Sequence, residues 1–115
     1  MIRLRIEEFI AYLKEEKQAS RNTLLSYERD LRKMESYLRS EGILQLDRVT
    51  TTSLRSYLIR LEDEGLSGAS ISRHISSMHS FFRCGVSRRW IHEDPSEPLR
   101  APRVSKKQSP ALTRE

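Results

Sequence analysis

The run Ser70-Ile-Ser-Arg-His-Ile-Ser-Ser-Met-His-Ser-Phe-Phe82 concentrates the chemistry of this chain. Ile71, Ile75, Met78 and Phe82 recur at the 3–4 spacing that aligns one face of a helix. The other face collects Ser70, Arg73, Ser76, Ser77, Ser80 and Arg83, with His79 at its margin, and carries no acid. A solvated helix surface ordinarily mixes Glu with Lys, so a face of short donors and cations suits an anionic ligand. Phosphates are held by such side chains and by backbone amides at helix N-termini. Two donor-rich helix starts, Ser20-Arg21-Asn22-Thr23 and Ser67-Gly-Ala-Ser70 followed by Arg73, make a predicted phosphate clamp. Duplex DNA is the expected partner.

Other chemistries find no matching pattern. His74 and His79 are five residues apart, not the four that set two ligands on one helix face, and His92 and Cys84 add no spaced pair. The chain has neither a glycine-rich phosphate loop nor a serine in a nucleophile-elbow pattern. Glu7-Glu8, Glu15-Glu16 and Glu62-Asp63-Glu64 read as solvated helix faces or termini. No catalytic residue, metal, cofactor or small-molecule substrate is therefore expected of these residues.

Helices must carry the donors. A first is expected over residues 3–17, with Ile6, Phe9, Ile10 and Leu13 on its stripe. A second follows Ser20 as N-cap, shows Leu24, Tyr27, Leu31, Met34 and Leu38, and stops at Gly42. Thr50, Thr51 or Thr52 caps a third, with Leu54, Leu58 and Leu61, ending at Gly65. Ser67 caps a fourth, which runs to about Cys84-Gly85, and a turn with Trp90 and Ile91 packs back on the bundle. No strand pattern competes, so the fold class is all-α.

Charge distribution supports an anionic partner. The 115 residues suffice for one compact domain and carry a formal charge of +5. Residues 1–42 hold nine basic and eight acidic side chains, and residues 43–66 hold three and four. Residues 67–115 hold nine basic against four acidic, so the excess lies in the last part of the chain. Prolines at 95, 98, 102 and 110, interleaved with Arg100, Arg103, Lys106 and Lys107, predict an extended basic linker. The expected division is a helical domain over 1–95 and a linker over 96–115. Ala111-Leu-Thr-Arg-Glu115 reads as the first turn of a further helix. A lone cysteine, no cleavable signal pattern and no apolar run near the ~18 residues of a membrane span lead us to expect a cytoplasmic protein without a membrane partner.

These signals, in this order, resemble the N-terminal SAM-like core-binding domain of the tyrosine recombinases (phage integrase family, Xer-like branch). The resemblance is carried by Ser20-x-x-Thr23-x-x-x-Tyr27-x-x-Asp30-Leu31 and by Leu66-Ser67-x-x-Ser70-Ile71-x-Arg73-x-Ile75-Ser76-x-Met78-x-Ser80-Phe81-Phe82. Ile91-x-x-Asp94-Pro95 and Pro102-Arg103-x-x-Lys106-Lys107-x-x-Pro110-x-Leu112-Thr113-x-Glu115 extend it over nearly the whole chain. It implies a four- or five-helix bundle forming half of a clamp around duplex DNA, its second and fourth helices near the groove. It also implies a basic linker to a catalytic domain, and other recombinase protomers as partners on DNA. Carried over position by position, Thr23, Arg73, Lys106 and Lys107 are the foremost expected contacts, and Tyr27, Ile71 and Phe82 fall to the core. The expected contact set from all these readings is Arg21, Asn22, Thr23, Ser70, Arg73, Ser77, His79, Arg83, Lys106 and Lys107.

The chain departs from the family pattern at three points. Position 79 is His where the family commonly has Arg, and Arg88-Arg89-Trp90 fills a turn in which members often have Gly. The His-x-x-Arg element of the family's catalytic half does not occur. The sequence is accordingly expected to bind and position duplex DNA for a site-specific recombinase, as an excised or remnant domain without cleavage activity of its own. The rival reading is a helical protein–protein interaction module of a non-catalytic regulator, which would form salt-stable oligomers and ignore DNA. A helix-turn-helix regulator fits less well, because the second helix is too long for that arrangement.

Overall fold

A computed structural model describes residues 2–100 of the chain. Its elements are α1 (Ile2–Glu15), α2 (Arg21–Ser40), a short 3₁₀ turn (Leu46–Arg48), α3 (Thr51–Asp63) and α4 (Gly68–Ser87). The described residues contain no strand, and the bundle is all-α as its periodicity predicts.

The starts of α2, α3 and α4 are each fixed by a short hydroxyl side chain. Ser20, Thr50 and Ser67 accept from the amides of Thr23, Ser53 and Ser70 at 3.2, 3.1 and 3.2 Å. Those bonds satisfy donors that have no intrahelical partner. Gly42 (φ +82°) and Gly65 (φ +87°) close α2 and α3 in the left-handed conformation that a Cβ disfavours. The amides of Ile43 and Leu66 then return to the carbonyls of Leu38 and Leu61 at 2.9 and 3.1 Å, completing the glycine stop.

The fourth helix does not stop at Gly85 as the sequence suggests. It continues to Ser87 and ends where Arg89 takes φ 65°. Gly85 answers a packing need instead: a Cβ there would stand 3.3 Å from Ile91 and 3.6 Å from Trp90. The missing side chain lets the 90–91 turn lie directly on α4. Arg89 thereby adopts the backbone conformation usually left to glycine.

One core joins the four helices. Ile2, Ile6, Phe9 and Leu13 of α1 face Leu31, Met34 and Leu38 of α2, and Ile71, Ile75, Met78, Phe81 and Phe82 of α4 close it. Phe9 meets Phe81 edge-on with ring centroids 5.6 Å apart. On α3 the buried residues are Leu54, Tyr57 and Leu61, while Leu58 is half-buried. Tyr57 can occupy the core because its hydroxyl has a partner there, His74 Nδ1 at 3.3 Å. Packing also continues beyond Pro95, since Ser96 and Leu99 are buried against the bundle. No described helix is long and apolar enough to cross a membrane.

Candidate nucleic-acid interface

Helices α2 and α4 run antiparallel, and side-chain contacts record the register. Asp30 receives Arg73 and Ser77, the hydroxyls of Tyr27 and Ser80 lie 3.5 Å apart, and Lys33 reaches Glu64 at 3.0 Å, just before α4 begins. The starts of α2 and α4 therefore lie toward opposite ends of the pair, separated by about sixteen to twenty residues of helix, roughly 24–30 Å at 1.5 Å of rise per residue. The two donor-rich starts do not converge on one phosphate. They bracket a surface between them.

That surface is made by two stripes. Asn22, Ser26, Arg29 and Lys33 follow one another along α2 at helical spacing, with Asn22, Arg29 and Lys33 exposed. Arg73, Ser76, Ser80, Arg83 and Ser87 do the same along α4, all at least partly exposed. The twenty residues of α4 include no Asp or Glu. On α2, Glu28 and Glu35 pair with Arg32 and Arg39 at 2.9 and 3.2 Å, on the side of the helix away from this face. Arg29 and Arg83 meet no acid among the described residues.

One carboxylate sits beneath the surface. Asp30 is 2% exposed and accepts Arg73 Nε and Nη2 at 3.0 Å each, with Ser77 Oγ at 3.1 Å. The paired carboxylate raises the Arg73 pKa above its already high ordinary value, so its charge is permanent. Nε2 of His74 lies 3.5 Å from Asp30 Oδ1. Burial lowers the His74 pKa, outweighing the pull of Asp30, with Arg73 and Lys33 pushing the same way as burial. The ring is thus neutral at pH 7. Facing a carboxylate that only accepts, it carries its proton on Nε2 and takes the Tyr57 hydroxyl proton at Nδ1. Burial beside Asp30 and Glu64 raises the Tyr57 pKa, so that hydroxyl stays protonated.

The expected contact residues divide accordingly. Arg21, Asn22 and Thr23 are exposed at the start of α2, although the Thr23 hydroxyl already accepts from Ser20 at 2.9 Å. Ser70 is half-buried and occupied by the Ser67 cap. Arg73 is half-exposed but committed to Asp30, and Arg83 is exposed and uncommitted. Ser77 does not lie on the open face where the sequence pattern sets it. It is 1% exposed and donates inward, because its position turns toward α2 beside His74. His79 is half-buried, with Nε2 held by the Ser96 carbonyl at 2.8 Å, so its ring faces the 95–98 turn. Lys106 and Lys107 lie outside the described residues.

Ser26 and Arg29 were missed as candidates, and continuing the Asn22 stripe by four and then three residues would have found them. No described cluster of three metal-ligating side chains forms, and burial pushes the Cys84 thiol up, away from the reactive thiolate. The arrangement is suited to holding an anion.

Comparison with known proteins identifies the family. Residues 6–89 match the phage integrase N-terminal SAM-like domain, and the chain belongs to that family. It is 37% identical over 108 residues to a protein named as a tyrosine recombinase in Caldanaerobacter subterraneus, covering 94% of this chain and 37% of that protein. It is 35% identical over 108 residues to tyrosine recombinase XerD of Oceanobacillus iheyensis, covering 93% and 36%. Against XerC of the same organism identity is 36% over 105 residues, covering 91% and 34%. The chain thus spans little more than a third of these relatives' length. No solved structure matches it.

Proposed function

We propose that this SAM-like domain binds duplex DNA for a site-specific tyrosine recombinase, working in the cytoplasm beside other recombinase protomers on the same DNA. Cleavage and rejoining would belong to another part of such a protein, with the basic part of the 96–115 segment beyond the packed Ser96 and Leu99 as the connection. One observation above all supports the reading: among the described residues α2 and α4 present a face of cations and hydroxyls in which Asp30 is buried and paired, and the one exposed acid that meets it, Glu64, is held by Lys33 at 3.0 Å. Arginines and short donors of this kind grip phosphates and carry little base information, so affinity should be broad in sequence and steep in salt.

Fluorescence anisotropy of a labelled duplex, titrated at several salt concentrations, tests the proposal. The expected dissociation constant is ~10⁻⁴–10⁻⁶ M at physiological salt, with log K falling linearly against log salt. A folded domain that associates with no duplex even at low ionic strength overturns it. Salt-stable oligomers in that same experiment would point to the protein–protein interaction module.

A further inference from the structure

We infer that Asp30 is a positioning residue: from beneath the surface it holds the Arg73 guanidinium so that its free edge is presented ready-made to a phosphate. This rests on the DNA-binding reading above and deepens it. Arginine has five N–H donors in a rigid planar fork. Asp30 takes the Nε hydrogen and one Nη2 hydrogen, both at 3.0 Å, along one edge of that fork. Nη1 and the second Nη2 hydrogen then lie along the far edge, with no described partner, on a side chain that is 47% exposed.

A bridge serving packing alone would not need this form. Buried ion pairs are often no more stabilising than apolar residues of similar volume, and Met34, directly beside Asp30 on α2, is fully buried without charge. Here the carboxylate is sunk and the cation is left at the surface, between exposed Lys33 and exposed Ser76. A free surface arginine must surrender rotamer freedom when it grips a phosphate. Arg73 has already surrendered it on folding. Ser77 reinforces the same end by donating to the Oδ2 that receives Nε, which fixes the carboxylate's own rotation.

The sign of one substitution separates positioning from bulk charge. Asp30→Asn raises the net charge by one, and electrostatics alone then predicts tighter duplex binding. If Asp30 positions Arg73, the variant binds about fivefold more weakly, and its salt slope falls by roughly 0.9 as one phosphate contact loosens. Arg73→Lys keeps the charge and loses the fork, so it should weaken binding and lower the slope alike. Circular dichroism and melting curves establish that each variant is folded. Should Asp30→Asn fail to fold, Arg73→Lys decides alone. A folded Asp30→Asn that binds as tightly as the parent domain or more so, or an Arg73→Lys with unchanged slope, overturns the inference. Absence of binding by the parent domain would instead remove the DNA-binding reading itself, a separate result.

Discussion

Nε2 of His79 donates to the carbonyl of Ser96 at 2.8 Å, tying the middle of α4 to the turn that follows Pro95. Thr51, the first residue of α3, donates to the neighbouring Pro95 carbonyl at 2.7 Å. His79→Ala should therefore cost about 1–2 kcal/mol, by leaving a part-buried carbonyl unpaired. Amide exchange at residues 96–99 should quicken while the helices stay protected. Exchange unchanged at those residues would mean that the turn holds without His79.

Stability should depend on pH through His74. Its folded pKa is below the ordinary value, so its contribution is fully present above about 6.5, the unfolded value. As pH falls below that, the unfolded chain binds the proton first, and stability is lost progressively down through the folded pKa. Urea midpoints should drop between pH 7 and pH 5, and His74→Gln should flatten the change. A midpoint insensitive to pH in the parent domain would show that the ring takes up its proton in place.

Capping and ligand binding can be separated at Ser20. Ser20→Ala removes the acceptor for the Thr23 amide and should cost about 1 kcal/mol. Ser20→Asp keeps a cap and should restore the melting temperature, yet it sets a negative charge at a proposed phosphate site. Duplex affinity should then fall in the aspartate variant alone. Equal affinity for Ser20→Asp and the parent would exclude this helix start from the interface.

Arg29 and Arg83 lie on opposite helices and meet no described acid. Each alanine substitution should lower the salt slope by roughly 0.9, and the two should add, leaving the melting temperature within experimental error. A slope that responds to Arg83 but not to Arg29 would confine the contact to α4.

Arg89 stands at φ 65° without a glycine's freedom. Arg89→Gly should stabilise the domain by about 0.5–1 kcal/mol, the relief of left-handed strain exceeding the added chain entropy of the unfolded state. A lower melting temperature would show that the Arg89 side chain contributes more than its backbone costs.

Local signals were readable from the chain and distant pairings were not. The caps Ser20, Thr50 and Ser67, the stops Gly42 and Gly65, and the core stripes through Phe9, Met34 and Phe82 all act within a helical turn or two. The Asp30–Arg73 bridge joins positions forty-three residues apart and exists only once α2 and α4 run antiparallel. Nothing in the periodicity of α4 alone could announce an acid beneath its polar face. Gly85 misled for a similar reason: glycine ends a helix by conformation, but here it admits Ile91 from a later turn. Ser77 was misplaced because one helix face cannot reveal how wide a wedge its neighbour will cover.

The opposed ends of α2 and α4 also make the domain a ruler. With roughly 24–30 Å between its two hydroxyl-capped tips, and 3.4 Å per base step, the proposed interface can engage both only on a double helix of about seven to nine base pairs or more. Shorter oligonucleotides should meet one tip and slide away, whatever their sequence.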